Sequence, residues 1–253
     1  MQQTDVLAQL VEMSRTLGDP TLDYAILGEG NTSARADEET FWVKASGARL
    51  GTAGSEGYVS VRFDPMMEML DGGDLSDDEI KLALEGGRAD ASATARPSTE
   101  TPLHALALQL PGVNFVGHTH PTVVNAIMCS VKVQEAINGR LFPDMIVYCG
   151  IDQVYVPFTD PGLPLARAVR AGLRDFLERH GEPPKLILMQ NHGMIALGGS
   201  PDEVINIHAM YCKAARVLVG AYALGGPHFL APAQVERIHT RPDELYRRKE
   251  WGI

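Results

Sequence analysis

Cysteine is scarce in this 253-residue chain, which has only Cys129, Cys149 and Cys212. An odd number at wide spacing excludes a disulfide framework, and no C-x-x-C pair offers a redox or zinc-ribbon motif. Each lies in an apolar context, so all three are expected as buried small hydrophobes. Basic residues are also few, 22 against 32 acidic ones, and the net charge is −10. That balance argues against nucleic acid and anionic membranes as partners, but a local site could still hold an anionic small molecule. No apolar run is long enough to span a bilayer. The first residues, Met1-Gln2-Gln3-Thr4-Asp5, offer neither the basic nor the apolar region of a signal peptide, so a cytoplasmic protein is expected. Internal repeats and a clear linker are missing too. The simplest organisation is one α/β domain over residues 1–226 and a C-terminal extension over 227–253.

Against that background, three histidines stand out. His118 and His120 lie in Val116-Gly117-His118-Thr119-His120-Pro121, and His192 lies in Gln190-Asn191-His192-Gly193. In a strand, residues i and i+2 share a face, so His118 and His120 can reach one ion. With a third imidazole from elsewhere they make an open catalytic metal site, three neutral nitrogens leaving one position free. Each segment follows an apolar run, Val113–Val116 or Leu186–Met189, and carries a breaker, Pro121 or Gly193. Both groups are therefore expected at strand ends, where sites are usually built.

The remaining pattern is mixed. Residues 5–17 carry apolar positions at helical spacing. Gly28-Glu29-Gly30-Asn31-Thr32-Ser33 reads as a polar, glycine-rich turn. Phe41–Lys44 and Tyr58–Val61 read as strands, and residues 71–97, rich in Asp, Gly and Ala, as a mobile or inserted surface segment. Thr101-Pro102 opens a helix running to about Leu110, and Pro121 another to about Cys129. Met145–Tyr148 and Val154–Val156 read as strands, and residues 162–179 as an amphipathic helix. Ser200-Pro201-Asp202-Glu203 is a strong start for a helix reaching about Leu224. Strands and helices do not alternate strictly, which favours a mixed or antiparallel sheet.

Three polar loops could surround an anion with backbone N–H groups and small hydroxyls: Gly30–Ser33, Ser46-Gly47 and Pro97-Ser98-Thr99. The first is a poor dinucleotide motif, with Ser33 where a third glycine belongs and no βαβ unit around it. Glu100 precedes a helix start, where a carboxylate is favoured by the dipole alone; if its loop faces the metal, it becomes the obvious general acid/base. His104 reads as a helix residue bonding locally. His180, His208, His228 and His239 lack motif context.

Taken in order, these segments resemble the class II aldolase/adducin family. The matching stretches are Gly30-Asn31-Thr32-Ser33, Lys44-Ala45-Ser46-Gly47, Pro97 to His104, Gly117-His118-Thr119-His120-Pro121 and Asn191-His192-Gly193, and the likeness spans roughly residues 5–225. It is similar to bacterial metal-dependent sugar-phosphate aldolases acting on fuculose or rhamnulose phosphate, including the aldolase part of bifunctional enzymes without their dehydrogenase half. The resemblance implies a three-layer α/β/α sandwich around a mostly antiparallel sheet. It implies Zn²⁺, or Mn²⁺, Co²⁺ or Ni²⁺, on His118, His120 and His192, with Glu100 as acid/base. It implies a phosphate cradle of Asn31, Ser46, Gly47, Ser98 and Thr99. A ketose 1-phosphate would be cleaved or formed through a metal-stabilised enediolate, in a homotetramer with sites between subunits.

Two features depart from the aldolase pattern. Pro143-Asp144 stands where fuculose-phosphate aldolases carry a tyrosine donor, and Glu29 puts a negative charge near the phosphate loop. Three other readings remain. The same site serves decarboxylases, epimerases and dehydratases of this family. Adducin heads are non-enzymatic interaction modules, but they lack the metal-binding histidines present here. A metallo-β-lactamase-type hydrolase would continue H-x-H with Asp-His, where this chain has Pro121-Thr122-Val123-Val124.

Overall fold

Alternating burial builds the middle layer. Phe41 and Val43 turn to one side, where they join one apolar core, while Trp42 packs into the core on the other side. The computed structural model describes residues 3–251. Seven strands are found among them: β1 (Asn31–Arg35), β2 (Thr40–Lys44), β3 (Tyr58–Arg62), β4 (Phe115–Thr119), β5 (Val154–Val156), β6 (Leu186–Met189) and β7 (Gly193–Gly198). They form a single sheet in the order β3-β2-β1-β4-β7-β6-β5. Every pairing is antiparallel except β5 with β6.

The helices are α1 (Gln3–Leu17), α2 (Phe63–Asp71), α3 (Asp77–Gly86), α4 (Thr101–Leu108), α5 (Thr122–Met128), α6 (Val133–Ala136), α7 (Pro143–Cys149), α8 (Leu163–His180), α9 (Pro201–Ala223), α10 (Pro232–Thr240) and α11 (Pro242–Trp251). On one face α1 lies against β1 and β4, α9 against β4 and β7, and α5 and α7 against α9. On the other, α4 covers β1, β2 and β4, α8 covers β5, and α2 packs on both helices. The result is a three-layer α/β/α sandwich around a mostly antiparallel sheet, with a core on each side.

The structure corrects several expectations. Met145–Tyr148 is not a strand but the body of α7, opened by Pro143 and closed at Gly150 in a positive-φ conformation (φ 78°). Met145 and Cys149, one turn apart, are both buried in the core that α9 shares; a four-residue apolar run cannot by itself tell strand from helix. Residues 71–97 lie mostly at the surface, as expected, but hold α3, whose Ser76 and Glu79 form a reciprocal capping box. This segment is anchored through buried Leu84 and a bridge from Arg88 to Val61. The second half of the glycine-rich turn is β1, and β7 has no counterpart among the strands expected from sequence. Cys149 and Cys212 are buried as expected, but Cys129 is exposed. Beyond Gly226 the chain forms α10, which packs on α7, and then α11. Tyr246, Arg247, Arg248 and Trp251 in this extension are residue types suited to anchoring a subunit interface; Tyr246 is exposed, and the side chains of Arg247, Arg248 and Trp251 lie outside the described residues.

The start of α9 follows the sequence signal. Ser200 Oγ accepts the Glu203 N–H at 3.2 Å, Pro201 takes the first position, and Asp202 and Glu203 sit on the positive end of the dipole. Ser200→Ala should lower unfolding stability by about 1 kcal/mol, the usual value of such a cap, read as a lower urea midpoint at unchanged slope.

Candidate active site

The site grows from one strand register. Asn31 of β1 lies directly opposite His118 of β4. His118 shares its face of β4 with Val116, which belongs to the core under α4, and Asn31 shares its face of β1 with Ser33, which bonds α4. Gly30 precedes this pair at φ 69°, and a Cβ there would sit 2.6 Å from the His118 carbonyl oxygen. Only glycine satisfies both the backbone angle and the close approach.

His192 arrives on the turn between β6 and β7, closed by the pairing of Met189 with Gly193. Asn191 takes the left-handed conformation that the turn requires (φ 53°) and donates its N–H to Met128 O at 3.3 Å. At Gly193 the backbone presses against the Thr119 carbonyl, and any Cβ would also meet the His120 ring at 2.8 Å. The two strand ends are thereby held together, and the histidines with them.

The ligand-capable atoms of His118, His120 and His192 lie within 4.8 Å of one another. His118 Nδ1 donates to Met194 O at 2.9 Å, which leaves its Nε2 lone pair directed at the cluster. That atom is 3.0 Å from His120 Nε2. Two nitrogens bound at about 2.0–2.1 Å to a tetrahedral zinc stand roughly 3.3 Å apart, so this spacing fits a shared divalent ion. Burial pushes all three imidazoles below their ordinary pKa, His120 to about 4, although Glu100 pulls the other way. Neutral rings are what metal binding needs.

Glu100, just before α4, sits between two of these rings, 3.4 Å from His118 Nε2 and 3.4 Å from His192 Nε2. Burial alone would raise its pKa, but in the acid range where a carboxylate titrates the protonated His118 and His192 rings, with a 2.7 Å hydrogen bond from Asn31 Nδ2, outweigh it and hold the carboxyl well below the usual carboxylate range. Asn31 is itself fixed. The His104 Nε2–H meets Asn31 Oδ1, and His104 Nδ1 accepts from Ser33 Oγ at 2.7 Å. Burial drives His104 down to about 3, so it is a neutral link. A chain of hydrogen bonds thus runs from Ser33 through His104 and Asn31 to the accepting carboxylate of Glu100. The sequence suggests that His104 bonds locally in its helix; its partners are instead in β1. The available signal was spacing: Glu100 and His104 are one helical turn apart, and Asn31 and Ser33 alternate along a strand.

The other candidates are nearby but not all joined. An isolated bridge between Ala45 and Pro97, with the Ser46 N–H on Arg96 O at 2.8 Å, lays the Ser46-Gly47 loop beside Ser98-Thr99. Asn31 Nδ2 is 3.5 Å from Ser98 Oγ. Ser46, Gly47 and Thr99 are exposed. Lys44 is buried and donates to Ala48 O at 2.6 Å; desolvation lowers its pKa, and the charge of Glu100 resists that. Glu29 directs Oε1 to within 3.9 Å of His120 Nδ1 and accepts the Ile26 N–H on Oε2 at 3.0 Å. His180, His208 and His239 make bonds outside the cluster, to Asp152, Val204 O and Glu182, and His228 is exposed. Asp144 lies in the first turn of α7.

A three-layer sandwich carrying a three-histidine cluster with an adjacent buried carboxylate defines the class of protein. The profile of the Class II Aldolase and Adducin N-terminal domain matches residues 8–219, and the chain belongs to that family. It is 32% identical over 186 residues to the uncharacterized oxidoreductase YuxG of Bacillus subtilis strain 168; the match takes in 69% of this chain and only 24% of that protein. Among solved structures it resembles the N-terminal class II aldolase domain of a conserved protein from Thermoplasma acidophilum, with TM-score 0.66 and 24% identity over 83% of this chain and 92% of that one. It also resembles the L-fuculose-1-phosphate aldolase of Thermus thermophilus, with TM-score 0.61 and 16% identity over 89% and 100% of the two chains. These two likenesses speak to the fold. Among the described residues, no helix is long and apolar enough to cross a membrane.

Substituting alanine singly for His118, His120 or His192 should abolish stoichiometric divalent metal while leaving a cooperative unfolding transition. Metal analysis of the purified variants decides the matter, and a variant that keeps a full equivalent removes its residue from the cluster.

Proposed function

We propose that this protein is a divalent-metal-dependent aldolase that cleaves or forms a C–C bond in a ketose 1-phosphate. The observation that carries the reading is the position of Glu100, a buried carboxylate 3.4 Å from two of three clustered imidazoles. His118, His120 and His192 would hold Zn²⁺ or a similar ion. When bound, the ion acts as a Lewis acid toward adjacent carbonyl and hydroxyl oxygens and stabilises the negative charge left when the C–C bond breaks.

The protein's own groups account for the proton. Glu100 is ionised at neutral pH, so in the bond-forming direction it begins as a base and takes a proton from the carbon beside the carbonyl. That proton ends on the oxygen of the former aldehyde. In the cleavage direction the hydroxyl beside the breaking bond gives its proton up to Glu100, which delivers it to the same carbon once the aldehyde has left. Asn31, fixed by His104, keeps one carboxylate oxygen occupied and so limits how Glu100 can turn. Glu100→Gln should retain metal and lose turnover by about 10²–10⁴-fold, the usual size for a general acid/base, in a retro-aldol screen over ketose 1-phosphates. Near wild-type turnover would sink the assignment.

Electrostatics suggests the substrate's orientation. A cavity of about 180 Å³ beside His120 is lined by Asp23 and Glu29, which repel an anion there. A second cavity of about 260 Å³ is lined by Ser46, Thr99, Arg96 and Lys81, with Asp77 and Glu85 at its wall. We therefore assign the phosphate end to Asn31, Ser46, Gly47, Ser98 and Thr99, near the buried charge of Lys44, and the aldehyde end to the His120 side. On this reading inorganic phosphate competes with substrate, and Ser98→Ala raises KM more than it lowers kcat. Equal kcat/KM for phosphorylated and unphosphorylated ketoses would overturn the phosphate assignment and favour a decarboxylase, epimerase or dehydratase using the same cluster.

A further inference from the structure

Ser33 places a hydroxyl in an apolar row. It is fully buried, and its cross-strand partners are Val43 on β2 and Val116 on β4. Both valines belong to the core under α4, and neither offers a polar atom. In α4 itself, His104 is surrounded along the helix by Leu103, Ala105, Leu106, Ala107 and Leu108, all buried. Packing alone would be served by an alanine at position 33, and a buried hydroxyl is costly without a partner. The partner is His104 Nδ1, at 2.7 Å.

The direction of each bond in this row follows from Glu100 outward. A carboxylate can only accept, so Asn31 turns Nδ2 toward Glu100 Oε2, at 2.7 Å. Its Oδ1 then faces His104 Nε2, which must carry the proton. A neutral imidazole has a single N–H, so Nδ1 is left as an acceptor in need of a donor. Ser33 is that donor. Without it, the ring can rotate or move its proton to Nδ1, and either change takes the donor away from Asn31 Oδ1. The carboxamide is then free to swing its oxygen toward Glu100, where oxygen meets oxygen. We propose that Ser33 is a positioning residue: through His104 it fixes the Asn31 carboxamide, and with it the orientation of Glu100 that leaves Oε1 beside His192. The inference rests on the role assigned to Glu100 in moving the substrate's proton. Ser33 itself acts only through the residues between.

The test compares Ser33→Thr with Ser33→Val in the metal-loaded protein. The two side chains share their branching and differ in the hydroxyl, so any packing penalty is common to both. Two quantities are read: the side-chain amide resonances of Asn31 in nitrogen-15-labelled protein, identified by their loss in Asn31→Asp, and kcat with KM on a ketose 1-phosphate. Ser33→Thr should keep the wild-type Asn31 resonances and turnover. Ser33→Val should move those resonances and lower kcat by about 10–100-fold relative to Ser33→Thr, the usual effect of losing a supporting partner behind a working side chain, with KM and metal content unchanged. Ser33→Ala should repeat the loss without added volume. Identical Asn31 resonances in Ser33→Val and Ser33→Thr overturn the proposal, and so does equal kcat. A wild-type protein that turns over no ketose 1-phosphate defeats the aldolase reading instead, and the Asn31 resonances then decide on their own whether Ser33 orients that carboxamide.

Discussion

The pairing of Asn31 with His118 across β1 and β4 is the constraint on which the rest of the site depends. It sets a carboxamide beside an imidazole on the face that α4 covers. A slip of one residue would turn both side chains to the opposite face. The register is secured by what lies on each side of it. Toward α1, Thr32 Oγ1 meets Ser14 Oγ at 2.6 Å, and toward α4, Ser33 meets His104. Asn31, Thr32 and Ser33 are all buried, yet each has a partner, which avoids the roughly 1–3 kcal/mol that an orphaned buried polar group costs. Such a network is interdependent, since losing His104 would free Asn31 and, through it, Glu100.

The parts of the fold legible in the sequence were those encoded locally. His118 and His120 announce themselves by alternation, Ser200 to Glu203 by capping chemistry, and residues 162–179 by a helical stripe that the structure places in α8. What escaped depends on distant partners. The segment Asn31–Ser33 looks like a turn because its residues are polar; only Ser14 and His104, 18 and 71 positions away, make it a buried strand. β7 begins and ends in glycine and was hidden for a related reason. Its glycines allow close approach, Gly193 to the end of β4 and Gly198 to Glu203 and Val204 of α9, and neither neighbour can be inferred from periodicity. Met145–Tyr148 failed differently, because a short apolar run bounded by breakers satisfies both templates.

The same division runs through the candidate site. The three histidines could be grouped from spacing and strand ends alone. Glu100 could be named as a candidate, but its low pKa could not, because that depends on His118, His192 and Asn31 meeting around it. Glu29 shows the reverse. In sequence it crowds a loop suited to anions, whereas in the fold its carboxylate is taken up by the Ile26 N–H and points toward His120 Nδ1. At 3.9 Å that is an ion-pair separation rather than a hydrogen bond, and it places the carboxylate on the side of the ring away from the cluster. A residue that reads as an objection in one dimension is compatible with the site in three.

Net charge illustrates how far composition reaches. At −10 the chain as a whole repels anions, but at physiological salt that field decays over about 8 Å, so an anion close to the surface responds mainly to its immediate neighbours. Near the histidine cluster those neighbours are unevenly placed. Asp23 and Glu29 line one side, while Lys44 lies buried under the Ser46-Gly47 loop, its ammonium accepted by Ala48 O and within the field of Glu100. A surface lysine in the same position would be screened and mobile. Burial removes the screening and holds the charge in one place, and a fixed charge on one side with carboxylates on the other imposes a direction on any anionic ligand that enters.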